Sequence, residues 1–117
     1  MEIQRDGMQE GEVETLSPEV LRPLVIRALR RSSVRKKIVK YLFDISPSGS
    51  YTSEIAHNVK TTPTNVIGAI RGMDSRYRID DSLIGLHIVE QIEGSRQDIK
   101  LYRITDFGRE IFQNITQ

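Results

Sequence analysis

Thr52-Ser53-Glu54-Ile55-Ala56-His57-Asn58-Val59-Lys60-Thr61-Thr62-Pro63-Thr64-Asn65-Val66-Ile67-Gly68-Ala69-Ile70-Arg71 is the stretch on which the fold turns. Thr52 is placed to cap a helix whose first turn holds Ser53 and Glu54. Ile55, Ala56 and Val59 form its buried side. Lys60-Thr61 is a tight connection. Thr62-Pro63 then opens a second helix, a hydroxyl cap followed by proline at the first helical position, where the missing N–H is no loss. Val66, Ile67, Ala69, Ile70 and Met73 are its apolar residues, while Thr64, Asn65, Gly68 and Arg71 face elsewhere. Ala56 is small, as a close helix crossing requires, and Val59 and Val66 are spaced to pin one helix onto the other.

Upstream, Ser17-Pro18-Glu19 has the form of a helix start. Leu21, Val25, Ala28 and Leu29 share a helical face. Proline breaks a helix interior, so the pattern predicts a helix over about 23–31 with Pro23 near its beginning. Ser32 and Ser33 cap the next helix, in which Val34, Ile38, Tyr41, Leu42 and Ile45 form one stripe. Its opposite face carries Arg35, Lys36, Lys37 and Lys40. Ser46-Pro47-Ser48-Gly49 is a turn cluster, and Ser50-Tyr51 is at most a short extended piece.

Downstream, the polar run Asp74 to Asp81 leads to Ser82-Leu83-Ile84-Gly85-Leu86, read as a helical turn entering a strand. His87 to Glu93 is rich in strand formers, Gly94-Ser95-Arg96-Gln97 signals a hairpin, and Asp98 to Ile104 alternates as a second strand. Thr105 caps a last helix with the stripe Phe107, Ile111, Phe112 and Ile115.

The 117 residues suit one domain, and 38% apolar with 28% charged residues suits a compact core with an ordinary charged surface. No apolar run approaches the ~18 residues of a membrane span. The first six residues have neither the basic region nor the apolar segment of a secretory signal. With no cysteine, there is no disulfide, thiolate zinc site or cysteine nucleophile, and two histidines are too few for a histidine-rich metal site. A cytoplasmic, cofactor-free protein is expected. Charge is unevenly placed. Residues 1–20 hold one basic and six acidic residues, whereas residues 21–117 hold sixteen basic and ten acidic ones. Residues 21–40 hold eight basic residues and no acid. Residues 1–16 therefore read as an acidic, flexible tail on a body (17–117) suited to polyanions.

Two short helices joined by a tight turn and followed by a hairpin resemble the winged-helix-turn-helix family of DNA-binding transcription regulators, above all its small archaeal and bacterial members. Ile55 to Val66 and Leu86 to Gly94 carry the resemblance. So does Tyr102-Arg103-Ile104-Thr105-Asp106-Phe107-Gly108-Arg109-Glu110-Ile111, which is similar to the ending Y-R-L-T-x-x-G-R-x-I that follows the second wing strand in such regulators. The likeness spans roughly residues 33–112. Three departures stand out. Lys60 or Asn58 occupies the turn where the family often has glycine, Thr61 replaces an apolar residue, and Arg71 is the only base of the second helix, at its far end.

The resemblance implies an α+β fold, mostly α: a helix-turn-helix at about 52–73, a wing of two or three antiparallel strands at about 87–104, and helical N- and C-terminal extensions. It implies a regulator of transcription that binds double-stranded DNA as a homodimer, paired through helix 21–31 and the last helix with Phe112 and Ile115. Helix 63–72 would lie in the major groove, with Thr64, Asn65 and Gly68 nearest the bases, Thr62 also on DNA and Arg71 on a phosphate. Arg96 and Lys100 of the wing would meet the backbone or minor groove, and Lys36, Lys37 and Lys40 would add non-specific attraction. The plainer alternatives are that Thr64 and Asn65 only cap a helix and that these cations are only solvated. Ile67 is expected in the core, although it could touch a thymine methyl. His57 and His87 are expected at the surface and Asp80-Asp81 in an exposed loop. Arg76-Tyr77-Arg78 fits nucleic-acid contact and loop packing equally. No catalytic triad, phosphate loop or metal spacing is present, so neither enzyme nor small-molecule substrate nor metal is expected. The competing function is a winged-helix protein-interaction module without direct DNA readout.

Overall fold

Each helix begins where a side chain accepts an otherwise orphaned N–H. A computed structural model of the protein describes residues 17–72, 82–94 and 99–116. Residues 1–16, 73–81, 95–98 and Gln117 lie outside these. The described chain is mostly helical, with five helices and a two-stranded antiparallel sheet. The order is α1 (Pro18–Arg30), α2 (Ser33–Ile45), α3 (Thr52–Val59), α4 (Pro63–Arg71), β1 (Val89–Glu93), β2 (Lys100–Ile104) and α5 (Asp106–Thr116).

Ser17 caps α1, its hydroxyl accepting the Val20 N–H at 3.4 Å. The helix starts five residues before the expected 23, so Pro23 is inside it. Its ring nitrogen cannot donate to the Glu19 carbonyl. Both residues are exposed, so that carbonyl stays open to water and the helix tolerates the proline.

The Ser32 hydroxyl caps α2 through the Arg35 N–H at 3.1 Å. Ile38, Val39 and Leu42 are buried, whereas Val34, Tyr41 and Ile45 are half-buried. Arg35 is a correction. The sequence pattern puts it on the solvated face with the lysines, but it is buried. Its Nη1 donates to the Ala28 carbonyl at 3.3 Å, one of the terminal carbonyls of α1 that no intrahelical N–H reaches.

Tyr51, not Thr52, is the capping position of α3. The reason is Glu54, whose Oε1 accepts the Tyr51 N–H at 3.2 Å and the Ser50 hydroxyl at 3.0 Å. Ser50 in turn exchanges two 2.9 Å backbone hydrogen bonds with Tyr102. That isolated antiparallel bridge gives the sheet a one-residue third strand.

Lys60 ends α3 in the left-handed conformation, at φ 61° and ψ 53°. A β-carbon there is strained by about 1–2 kcal/mol, part of which glycine returns as lost chain entropy. Lys60→Gly is expected to raise stability by about 1 kcal/mol in thermal denaturation. An unchanged or lower Tm would show that the lysine stem makes compensating contacts. Thr62 then caps α4, its Oγ1 accepting the Asn65 N–H at 3.1 Å, with Pro63 at the first position.

The far end of α4 is closed by the segment after it. Leu83 and Ile84 donate to the Ala69 and Ile70 carbonyls, both at 3.0 Å. His87 takes φ 63°, which breaks the extended run, so β1 begins at Val89 rather than His87. Val89 pairs with Ile104, Gln91 with Tyr102 and Glu93 with Lys100. Thr105 opens α5. Its Oγ1 donates to the His87 and Ile88 carbonyls at 2.7 and 3.1 Å and accepts the Gly108 N–H at 2.9 Å.

The core is a single cluster centred on α2, which packs against α1, α3, α4, β2 and α5. Ile38, Leu42, Ile55, Val66, Ile70, Leu83 and Ile111 are all essentially fully buried in it. Among the described residues no helix is long and apolar enough to cross a membrane.

Candidate functional site

Helix α4 buries Val66, Ala69 and Ile70 against α3 and α2. That leaves Thr64, Ile67 and Arg71, spaced by three and four residues, as one open stripe. Ile67 corrects the expectation of a core residue, being 41% exposed. Its place is decided by its neighbours, because Val66 and Ile70 already occupy the angle that faces the core. Thr62 is exposed at the start of the stripe. Asn65 is half-buried, and its amide donates to Thr61 Oγ1 at 3.0 Å, so its side chain is engaged in closing the turn. Gly68 is buried, not on the open face where the sequence pattern puts it.

Arg71 ties this stripe to the sheet. Its Nη1 donates to Gln91 Oε1 at 2.7 Å and to the Tyr102 hydroxyl at 3.2 Å. Gln91 and Tyr102 are opposite each other across the ladder, so both extend from one face of the hairpin. The open side of α4 and the hairpin therefore form one continuous surface. Lys100 lies on that hairpin face one pair further out, opposite Glu93. Arg96 belongs to the segment outside the described residues, as do Arg76-Tyr77-Arg78 and Asp80-Asp81.

The lysines of α2 are all exposed, but they do not form one group. Lys37 and Lys40 border a cleft of about 300 Å3 with Tyr41, Asn58 and Lys60. Lys36 instead borders a second cavity beside α1 and α5, which Lys40 also reaches. Lys40 is partly neutralised by Asp44 at 3.0 Å. Lys60 was legible only as a departure in the turn. The turn's geometry makes it a third cation of the cleft.

His57 is exposed as expected, but His87 is half-buried, its Nε2 enclosed with no hydrogen-bond partner among the described residues. No group of three metal-ligating side chains occurs among the described residues.

A family model described as EarA-like matches residues 25–115. An uncharacterized protein of Methanocaldococcus jannaschii, MJ0905, is 43% identical over 91 residues, which cover 78% of this chain and 80% of that protein. No solved structure matches the chain.

Proposed function

The chain belongs to the EarA-like family, and we propose that it is a winged-helix regulator of transcription that binds double-stranded DNA. In this reading α3 and α4 are the helix-turn-helix and the β1–β2 hairpin is the wing. Helix α4 enters the major groove, which is wide enough for one helix. Thr62 and Thr64 face base edges and phosphates, and Ile67 suits a thymine methyl. The hairpin follows the backbone or the adjacent minor groove with Lys100 and Arg96. Lys37, Lys40 and Lys60 hold the phosphates beside the turn, and Arg71 holds one at the far end of α4. The observation that carries the reading is the joining of Arg71 to Gln91 and Tyr102. It sets an exposed helix face and a hairpin side by side.

The test is fluorescence anisotropy of a labelled random duplex at about 50 and 200 mM salt. Those six cations on six phosphates give a slope of log K against log salt of about −5, hence a loss of about a thousandfold over that interval. A flat salt dependence, or no binding at the lower salt, overturns the reading. It would favour a protein partner on the same face, with Ile67 at its centre.

A further inference from the structure

A largely apolar cavity of about 510 Å3 lies between α1, α2 and α5, away from α4 and the hairpin. Its floor is aromatic. The Phe43 and Phe112 rings pack with centroids 5.1 Å apart and planes at 44°, beside buried Leu29. Ile26 and Ile115 form the walls, and Ile115 is 42% exposed even though it completes the apolar stripe of α5. The rim is polar and unbalanced. Arg30, Lys36 and Lys40 stand there against the single acid Asp44. Asp44 is held by Lys40 Nζ at 3.0 Å. Arg30 and Lys36, both exposed, remain as two positive charges over an apolar bed.

We propose that this cavity binds a small organic carboxylate with an aliphatic or aromatic body. The body lies on Leu29, Phe43 and Phe112, and the carboxylate sits between Arg30 and Lys36. The volume is within the range of small-molecule pockets, about 300–1,000 Å3. A mostly apolar lining with a few convergent polar groups is the usual composition of such sites. Two cations at one edge select an anionic head through charge-assisted hydrogen bonds. A second copy of the chain is the alternative occupant, because in a two-fold interface the same patch faces itself, and the test below separates it from a small ligand. The lining residues all fall within the part of the chain that the EarA-like family model matches. None comes from α4 or the hairpin, and Lys40 is the one lining residue that the DNA reading also uses.

The test titrates decanoate, below its micelle concentration, into the full 15N-labelled chain, with decanol and decylamine as comparators. Saturable amide shifts are expected at Leu29, Phe43, Phe112 and Ile115. Decanol and decylamine are expected to bind at least about tenfold more weakly than decanoate, since neither presents an anion to the rim. The double substitution R30E/K36E changes only exposed side chains. It is expected to weaken decanoate by about tenfold or more, the combined effect of two exposed charge pairs, while leaving decanol unchanged. Equal affinity for decanoate and decanol overturns the proposal, as does decanoate binding insensitive to R30E/K36E. So do shifts confined to other surfaces, or no binding at millimolar concentration. A concentration-dependent dimer abolished by I115E would give the cavity to a second copy instead. The duplex anisotropy is read separately, so either idea can fail alone.

Discussion

Gly108→Ala is expected to destabilise the chain by about 2–3 kcal/mol, a fall in Tm of roughly 10–20 °C for a chain of this size. A β-carbon at this position would lie 2.6 Å from the Ile88 carbonyl oxygen and 2.9 Å from Ile104 Cγ1. The first of these is backbone, and it cannot yield easily. The Ile88 carbonyl is held by the Thr105 N–H at 2.9 Å and by Thr105 Oγ1 at 3.1 Å. The first turn of α5 is thus docked on the entrance to β1 by Thr105 and kept close by the missing side chain of Gly108. Alanine's better helix propensity, about 1 kcal/mol, offsets only part of the clash. Asn114→Ala, at an exposed position of the same helix, is the control and should change stability by less than about 0.5 kcal/mol. If Gly108→Ala melts with the parent, α5 moves freely against the sheet and the docking argument fails.

The triple substitution K37A/K60G/K100A is expected to lower affinity for a random duplex by about two to three orders of magnitude at about 0.1 M salt. Each phosphate contact adds about 0.9 to the salt slope, so the slope should fall from about −5 to about −2. All three side chains are exposed, and Lys60→Gly removes a left-handed lysine, so the fold should survive. Circular dichroism and Tm check this directly. A triple variant that binds like the parent would place the DNA contact elsewhere, or remove it altogether.

Most of the elements are legible in the sequence because their signals are local. Ser17, Ser32, Thr62 and Thr105 each cap a helix as their hydroxyls suggest. Pro18 and Pro63 stand at first helical positions. The run of strand formers at 87–93 and the alternating run at 98–104 give the paired strands β1 and β2. Where local rules failed, a distant partner decided. Tyr51 displaces Thr52 as the cap position because Glu54 reaches both its N–H and Ser50, which β2 holds in place. Arg35 reads as a surface cation until the end of α1 folds over it and offers the Ala28 carbonyl. Ile67 reads as core by composition, but only one angular sector of a helix can face the core, and Val66 and Ile70 fill it.

The candidate site divides the same way. The residue types that suit nucleic acid, Thr62, Thr64, Arg71 and the lysines of α2, are visible in the chain. Their grouping is not. Arg71 joins the hairpin through Gln91 and Tyr102, Lys37 turns toward Lys60, and Lys36 turns toward Arg30 and the Phe43–Phe112 cavity. The sequence by itself determined which segments become helix or strand, because caps, prolines and apolar period act within a few residues. Only the tertiary structure decided which cations share a surface and which aromatic rings line a cavity. Those depend on how α1, α4 and α5 pack around α2, and packing brings together residues that no local pattern relates.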